Sequence, residues 1–356
     1  MHVCQSGSAF RLPDYLQPIL ARLSLQDELS GAHLLLTGGT GFFGRWLLAL
    51  LGELNNRGAA ITVTITSRNP ARFLAAHPEY RECDWISWFT GDIRDLVDLP
   101  GRAPDLILHA AADTSAEANA HPLELFNTLV DGTRRVFDLA ARSASSRVLI
   151  TGSGAQYGSL PFSTGVCESY SGACASNAVA SAYAEGKRAQ ETLGALYAQR
   201  HGIKVVMTRC FAFAGPGLPL DGHFAIGNFV RDALYGDEIV LNSSGQAIRS
   251  YLYGADLAAW LLTLLVRGES GVAYNVGSDQ AISIADLARR VVSRIAPEKP
   301  VKVLGRPDDA GRSFYVPDIN RARGLGLDVW TSLDATIDRM ADWARDMDYG
   351  STFDAR

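Results

Sequence analysis

The sequence predicts an α/β protein with a doubly wound parallel sheet and a smaller, discontinuous C-terminal domain for substrate. Three observations carry this expectation. Apolar strand-like runs alternate with helical segments from Leu34 to Arg209. The first strand runs into Thr37–Gly44, which reads Thr-Gly-Gly-Thr-Gly-Phe-Phe-Gly and opens an apolar helix. After Arg209 the rhythm gives way to a loop-rich crossing with Gly215-Pro216-Gly217, Pro219 and Asp221-Gly222.

The elements follow in order. Residues 1–30 form an extension in which Leu12, Tyr15, Leu16, Ile19, Leu20 and Leu23 recur at helical spacing. Its apolar face suits packing on the outside of the domain, or a dimer contact. A strand at 34–37 precedes the glycine turn and a helix at 42–56. Gly38, Gly41 and Gly44 lie three apart, a spacing that allows a sharp turn, close approach to a phosphate and tight helix packing. The helix start offers unpaired N–H groups to a pyrophosphate. Gly38, Thr40, Gly41, Phe42, Phe43 and Gly44 are therefore candidate dinucleotide contacts. Further strands are expected at 61–66, 85–90, 105–109, 147–151 and 204–209, with helices at 70–80, 123–142 and 182–201. Beyond them come helices at 224–235, 255–267, 283–294 (N-cap Ser283) and 332–346, and strands at 238–241 and 273–276. The expected division is an extension at 1–30, a dinucleotide-binding domain at 31–212 and a mainly substrate-binding domain at 213–356. A strand near 271–277 returns to the sheet.

Composition narrows the function. Net charge is −5 with no basic block, which argues against nucleic acid as a partner. The five cysteines are an odd number without a C-x-x-C pair, as expected of free thiols in a reducing cytoplasm and of a chain with no metal site. Residues 1–30 lack a secretory pattern. The longest apolar stretch, Leu257–Val266, is too short to span a bilayer and reads as a core helix. A cytoplasmic protein without membrane contact is expected.

Two further constellations carry chemistry. Tyr183-Ala-Glu-Gly-Lys187 places a phenol and an ammonium on one helix face. The chain has four lysines, so a chance match is expected roughly 0.1 times. The cation is expected to favour the phenolate, letting Tyr183 exchange a proton near neutral pH. Thr151–Gly158 follows an apolar strand, and ligands of open parallel sheets bind beyond such C-terminal strand ends. Ser153 there can hydrogen-bond a substrate oxygen and share its proton with Tyr183.

With these motifs assembled, the chain resembles an extended short-chain dehydrogenase/reductase of the nucleotide-sugar epimerase/dehydratase family, from about Ala32 to at least Asp318. The resemblance implies a Rossmann sheet, a bound NAD or NADP and a nucleotide-diphosphate sugar as substrate. The family's adenine-contacting acid falls on Asp92, followed by Ile93, and its H-A-A motif beside the cofactor on His109-Ala110-Ala111. Its active-site hydroxyl falls on Ser153 before Gln156-Tyr157-Gly158, and its Y-x-x-x-K on Tyr183 and Lys187. Its R-x-x-x-x-x-G-P spans Arg209 to Gly215-Pro216, and its R-x-Y-x-x-x-x-D is Arg249, Tyr251 and Asp256. Its Y-N-x-G is Tyr274-Asn275-Val276-Gly277. Substrate contacts are expected from Asn275 and, on the diphosphate, from Arg249 and either Arg312 or Arg306, because a guanidinium matches two phosphate oxygens.

Three departures shape the expected reaction. The family's 4,6-dehydratases carry Thr-Asp-Glu where this chain has Ser153-Gly154-Ala155, and related decarboxylases use a glutamate at the Ala155 position. Dehydration and decarboxylation both lack their carboxyl group here. Ala212 and Leu129 stand where asparagines are common, which alters substrate contacts without removing the redox centre. The leading expectation is an epimerase that acts through a transient keto sugar. The alternative is an NADPH-dependent keto-sugar reductase, and a noncatalytic dinucleotide-binding protein is a third reading. Cofactor choice stays open: no acid ends the second strand, and Arg68 there suits a 2′-phosphate, whereas redox-neutral family members use NAD. The resemblance also implies a homodimer paired through the Tyr183 helix.

Overall fold

The structure is a computed structural model that describes residues 12–112, 115–143, 145–160, 164–306 and 313–347. The chain divides into two compact units. The first comprises Met1–Gly158, Ala173–Cys210 and Ala258–Tyr274; the second comprises Ser159–Gly172, Phe211–Leu257 and Asn275–Arg356. This differs from a cut at residue 212: the short excursion 159–172 joins the second unit, and most of the apolar helix Gly254–Arg267 joins the first.

The sheet consists of β1 (His33–Thr37), β2 (Thr62–Ser67), β3 (Ile86–Thr90), β4 (Leu106–His109), β5 (Arg147–Ser153), β6 (Lys204–Cys210) and β7 (Ala273–Val276). Its order is β3-β2-β1-β4-β5-β6-β7. The first six strands pair in parallel. The Met207 and Phe211 amides donate to the Val272 and Val276 carbonyls, so β7 runs the same way. The order reverses between β1 and β4, where an open sheet of this kind forms its ligand crevice. Helices α1 (Phe42–Asn56), α2 (Pro122–Ser143) and α3 (Ala182–His201) belong to the same unit. Leu35, Ile107, Val148, Ile150 and Val205 of the sheet pack with Val136 and Phe137 of α2 in one buried cluster. Arg147, at the start of β5, donates from Nε to the Leu265 carbonyl at 2.6 Å and from Nη2 to the Gly268 carbonyl. It thereby serves the acceptors left at the end of helix Gly254–Arg267.

Within 12–30, one periodic helix is not formed. The segment is a 3₁₀ turn at Leu12–Tyr15 and short helices at Gln17–Leu20 and Gln26–Leu29. Pro18 has no N–H to continue a helix from the preceding turn. Pieces this short hold only by burial, and Leu16, Ile19, Leu25 and Leu29 are buried. The Arg267 guanidinium also fastens them through Glu28, at 2.8 and 2.9 Å. The expected helix at 70–80 stops at Ala76 because Pro78 keeps His77 out of helical geometry (φ −133°, ψ 68°). Strand β5 runs two residues beyond expectation and sets Ser153 beside Cys210 of β6.

The second unit packs helices Ala225–Tyr235, Ile284–Ile295 and Leu333–Asp346 together. Ser283 caps its helix, accepting from the Asp286 amide at 3.0 Å. Arg290 pairs with Asp334 at 2.5 and 2.8 Å. Short strands complete the unit: Ile248–Arg249 lies between Ile282–Ser283 and Phe314–Tyr315.

Candidate active site

Strand β1 delivers the glycine turn. Gly38 has φ +73°, and a Cβ there would stand 2.6 Å from the Ala110 carbonyl oxygen. A Cβ on Gly44 would stand 2.2 Å from the Gly39 backbone, so both positions require glycine. Gly41 differs: it is exposed, and a Cβ would meet nothing closer than the Gly38 carbonyl oxygen at 3.6 Å. It is the N-cap of α1 and supplies no side-chain cap. The first-turn amides of a 15-residue helix therefore lack an N-cap side-chain acceptor, as a pyrophosphate site requires. Thr40, Phe42 and Phe43 are half-buried around that start. The turn fits a dinucleotide.

The catalytic candidates meet at the C-terminal end of β5. Ser153 ends the strand and caps the 3₁₀ turn Gly154–Tyr157: its Oγ accepts from the Ala155 amide at 3.2 Å, and Gln156 Oε1 accepts from the Ser153 amide at 3.0 Å. Tyr183, in the first turn of α3, lies near enough to Ser153 for that hydroxyl to favour the phenolate. Lys187, one turn further along, is buried. Its Nζ donates to the Thr151 carbonyl at 2.6 Å and stands 5.9 Å from the centre of the Tyr183 ring.

The electrostatics differ from the expectation of a phenolate held near neutral pH. Removal from water pushes the Tyr183 phenol up to about 12, while the Ser153 hydroxyl pulls the other way. Burial likewise pushes Lys187 down to about 8. Burial dominates, and the free protein keeps Tyr183 protonated. Cys210, also buried, is pushed up to about 11.

Asp92 is engaged within the chain. Its two oxygens accept from Arg94 Nε and Nη2, each at 3.0 Å, and it caps the turn Ile93–Asp95. The Arg94 hydrogen bond holds the carboxyl below its usual range, with Arg68 adding to the same effect. Ile93 is buried. His109 lies between two hydroxyls: Nδ1 is 2.7 Å from Thr37 Oγ1, and Nε2 is 2.9 Å from Thr133 Oγ1. The Ala110 and Ala111 amides both donate to Thr37 Oγ1 at 3.1 Å. Burial drives His109 down to about 3, so it is neutral.

In the second unit the candidates serve several roles. Arg249 Nη1 donates to the Ile248 carbonyl at 2.8 Å, and its guanidinium lies 5.8 Å from the Tyr315 ring centre. Asn275 is fully buried, and its Nδ2 donates to the Val166 and Asp318 carbonyls at 2.7 and 2.9 Å. Its amide hydrogens therefore brace the chain. Asp256 accepts from the Trp330 and Thr331 amides and the Thr331 hydroxyl at 2.9–3.0 Å. Arg306 is exposed, and Arg312 lies outside the described residues. Among the described residues no group of three His, Cys, Asp or Glu is placed to hold a metal ion. None of the described helices is long and apolar enough to cross a membrane.

The family model for the NAD dependent epimerase/dehydratase family matches residues 34–277. The chain belongs to that family. Among its relatives is UDP-glucuronic acid decarboxylase 6 of Arabidopsis thaliana, 29% identical over 297 residues that cover 83% of each chain. UDP-glucuronic acid decarboxylase 1 of Xenopus tropicalis is 27% identical over 302 residues, covering 84% of this chain and 68% of that protein. The UDP-glucose 4-epimerase of Thermotoga maritima, crystallised with UDP-glucose, has the same fold: TM-score 0.75, 18% identity, 88% of this chain and 99% of that one. This member of the NAD dependent epimerase/dehydratase family is thus an α/β enzyme with the family's cofactor turn.

Two groups of the family member escape a reading by motif. Glu191 holds Arg209 with two bonds of 2.9 Å, and the Arg209 guanidinium stacks 4.7 Å from the Tyr157 ring centre. Gln190 reaches Thr133 from α3. The only sequence signal for either is its helical position after Lys187: three residues for Gln190, four for Glu191.

Proposed function

We propose that the chain is a nucleotide-sugar epimerase acting through a transient keto sugar with bound NAD. The observation that carries this reading is the joined Ser153, Tyr183 and Lys187 set beside a turn, Gly154-Ala155, that offers no carboxyl group. The Ala155 carbonyl accepts from the Gly158 amide at 3.0 Å and the Cys174 thiol at 3.3 Å, so the turn is braced as it stands. The relatives' names support a UDP sugar as the substrate class, with Arg249 as the candidate for its diphosphate. Decarboxylation, the activity those names carry, has no acidic side chain at Ala155.

The chemistry that the dinucleotide supplies when bound is reversible hydride exchange at its nicotinamide. In its phenolate form Tyr183 Oη takes the proton of the sugar hydroxyl and then returns it, while Ser153 Oγ orients that oxygen. The protonated phenol is the form that donates to a keto oxygen. Lys187 places its ammonium behind the phenol and stabilises the phenolate formed when that proton leaves.

A second reading, an NADPH-dependent keto-sugar reductase, is favoured by Arg68. It is a cation near an Asp92 already held by Arg94. Mass spectrometry of the cofactor carried by the purified protein, followed by incubation with UDP sugars, separates the readings. An epimerase carries NAD and yields a stereoisomer with no net cofactor turnover. Stoichiometric loss of NADPH establishes the reductase. Release of carbon dioxide or of a 4-keto-6-deoxy sugar refutes both.

A further inference from the structure

The polar groups beneath the glycine turn form a chain whose every hydrogen can be assigned. Thr133 Oγ1, on α2, donates to the Leu129 carbonyl at 2.6 Å. Gln190 Nε2, on α3, donates to the same hydroxyl at 2.6 Å and to the Leu129 carbonyl at 3.2 Å. A hydroxyl has one hydrogen and two lone pairs. Thr133 has therefore only an acceptor position left for His109 Nε2, and Nε2 must carry the imidazole hydrogen. His109 Nδ1 is then bare and accepts the Thr37 hydroxyl hydrogen. The two lone pairs of Thr37 are left for the Ala110 and Ala111 amides, as observed.

The far end of this chain is the cofactor turn. The Ala110–Ala111 peptide that donates to Thr37 is the one against Gly38, where an added Cβ would stand 2.6 Å from the Ala110 oxygen and 2.8 Å from the Ala111 nitrogen. The near end is the catalytic helix, because Gln190 follows Lys187 by three residues and Tyr183 by seven, on one face of α3. Gln190 is buried, and its Oε1 has no hydrogen-bond partner. Turning the amide over would set Oε1 against the Leu129 carbonyl oxygen, so the donor orientation is the one this packing requires.

We propose that Gln190 is a positioning residue. Through Thr133, which accepts from both Gln190 and the Nε2–H of His109, it holds the Thr37–Gly38 turn and the Ala110–Ala111 peptide in register with Tyr183 and Lys187. The inference rests on the dinucleotide reading of the turn and is independent of which sugar reacts.

Two measurements on the full chain test it. In ¹⁵N-histidine spectra, with the His109 signal assigned by its loss in His109→Gln, Nε2 is expected to be protonated and Nδ1 bare between about pH 5 and pH 8. The reverse tautomer overturns the proposal. In NAD titrations followed by intrinsic fluorescence, Gln190→Met and Thr133→Val are each expected to weaken binding about tenfold, with Thr133→Ser within about twofold of the parent. The Gln190→Met/Thr133→Val double variant is expected to be no weaker than the weaker single, because both remove one link. Gln190→Met conserves volume and decides the matter if Thr133→Val does not fold. A lowered thermal midpoint with unchanged NAD affinity reduces Gln190 to a packing residue and overturns the role. Failure of the parent chain to bind NAD or NADP overturns the dinucleotide reading instead.

Discussion

The two units hold buried polar residues for different ends. In the first, Thr37, His109, Thr133 and Gln190 link a turn to a helix side chain to side chain. In the second, Asp256 and Asn275 bond to the backbone at positions far along the chain. Both sets fall on or beside family motifs. The difference teaches that a family motif can serve the chain's architecture as readily as its chemistry. The hydrogen bonds of Asp256 and Asn275 end on backbone groups and on the Thr331 hydroxyl.

The sharpest test of this contrast removes one oxygen from the first unit. Tyr183→Phe is expected to cut turnover by up to about 10⁴-fold, equivalent to about 5.5 kcal/mol, with NAD binding and the thermal midpoint retained. A variant with more than a tenth of the parent rate would place the acid–base group elsewhere.

Next in size is acid sensitivity. His109 titrates at about 3 in the fold against 6.5 as a free side chain. Between those values the unfolded chain binds the extra proton, so stability is full above 6.5 and is lost as pH falls toward 3. The loss approaches about 5 kcal/mol. Denaturant titrations across that range should show it, and His109→Gln should flatten it.

Asp256 gives the opposite slope. Burial raises it from 3.8 to about 6 despite its three donors. The folded state holds the proton more tightly, so this contribution is full below 3.8 and is lost as pH rises through 6, by about 3 kcal/mol. Amide exchange at Trp330 and Thr331 should quicken over that interval. Asp256→Asn should abolish the dependence, whereas Asp256→Ala, which strands those two amides, should destabilise by about 3 kcal/mol.

The smallest effect concerns cofactor choice. Arg68→Ala should reduce any preference for NADP over NAD by about tenfold, roughly 1.4 kcal/mol, in paired binding titrations. No change would remove Arg68 from the cofactor site.

Much of the first unit was legible because its signals are local. The helix bounded by Phe42 and Asn56 follows from glycines on one side and an unbroken apolar run, and the Tyr183–Lys187 spacing is a helical period. What stayed hidden was of two kinds. Paired strands of two residues, such as Phe213–Ala214 with Leu252–Tyr253, are too short to show a period. Contacts such as Gln190 to Thr133 join residues that only the packing of two helices brings together. The sign of the Tyr183 shift is hidden for a related reason: the lysine is visible in the sequence, but the burial that raises the phenol is not.

Gly158 and Ala173 meet where the chain leaves the first unit and comes back: a Cβ on Gly158 would stand 2.3 Å from the Ala173 carbonyl oxygen. The chain positions flanking segment 159–172 are therefore close together, and its Val166 is held within the second unit: the amide donates to the Val316 carbonyl, and the carbonyl accepts from Asn275 Nδ2 and the Asp318 amide. An exchange of this segment has to preserve the Val166 carbonyl, or it withdraws an acceptor from the buried Asn275 amide.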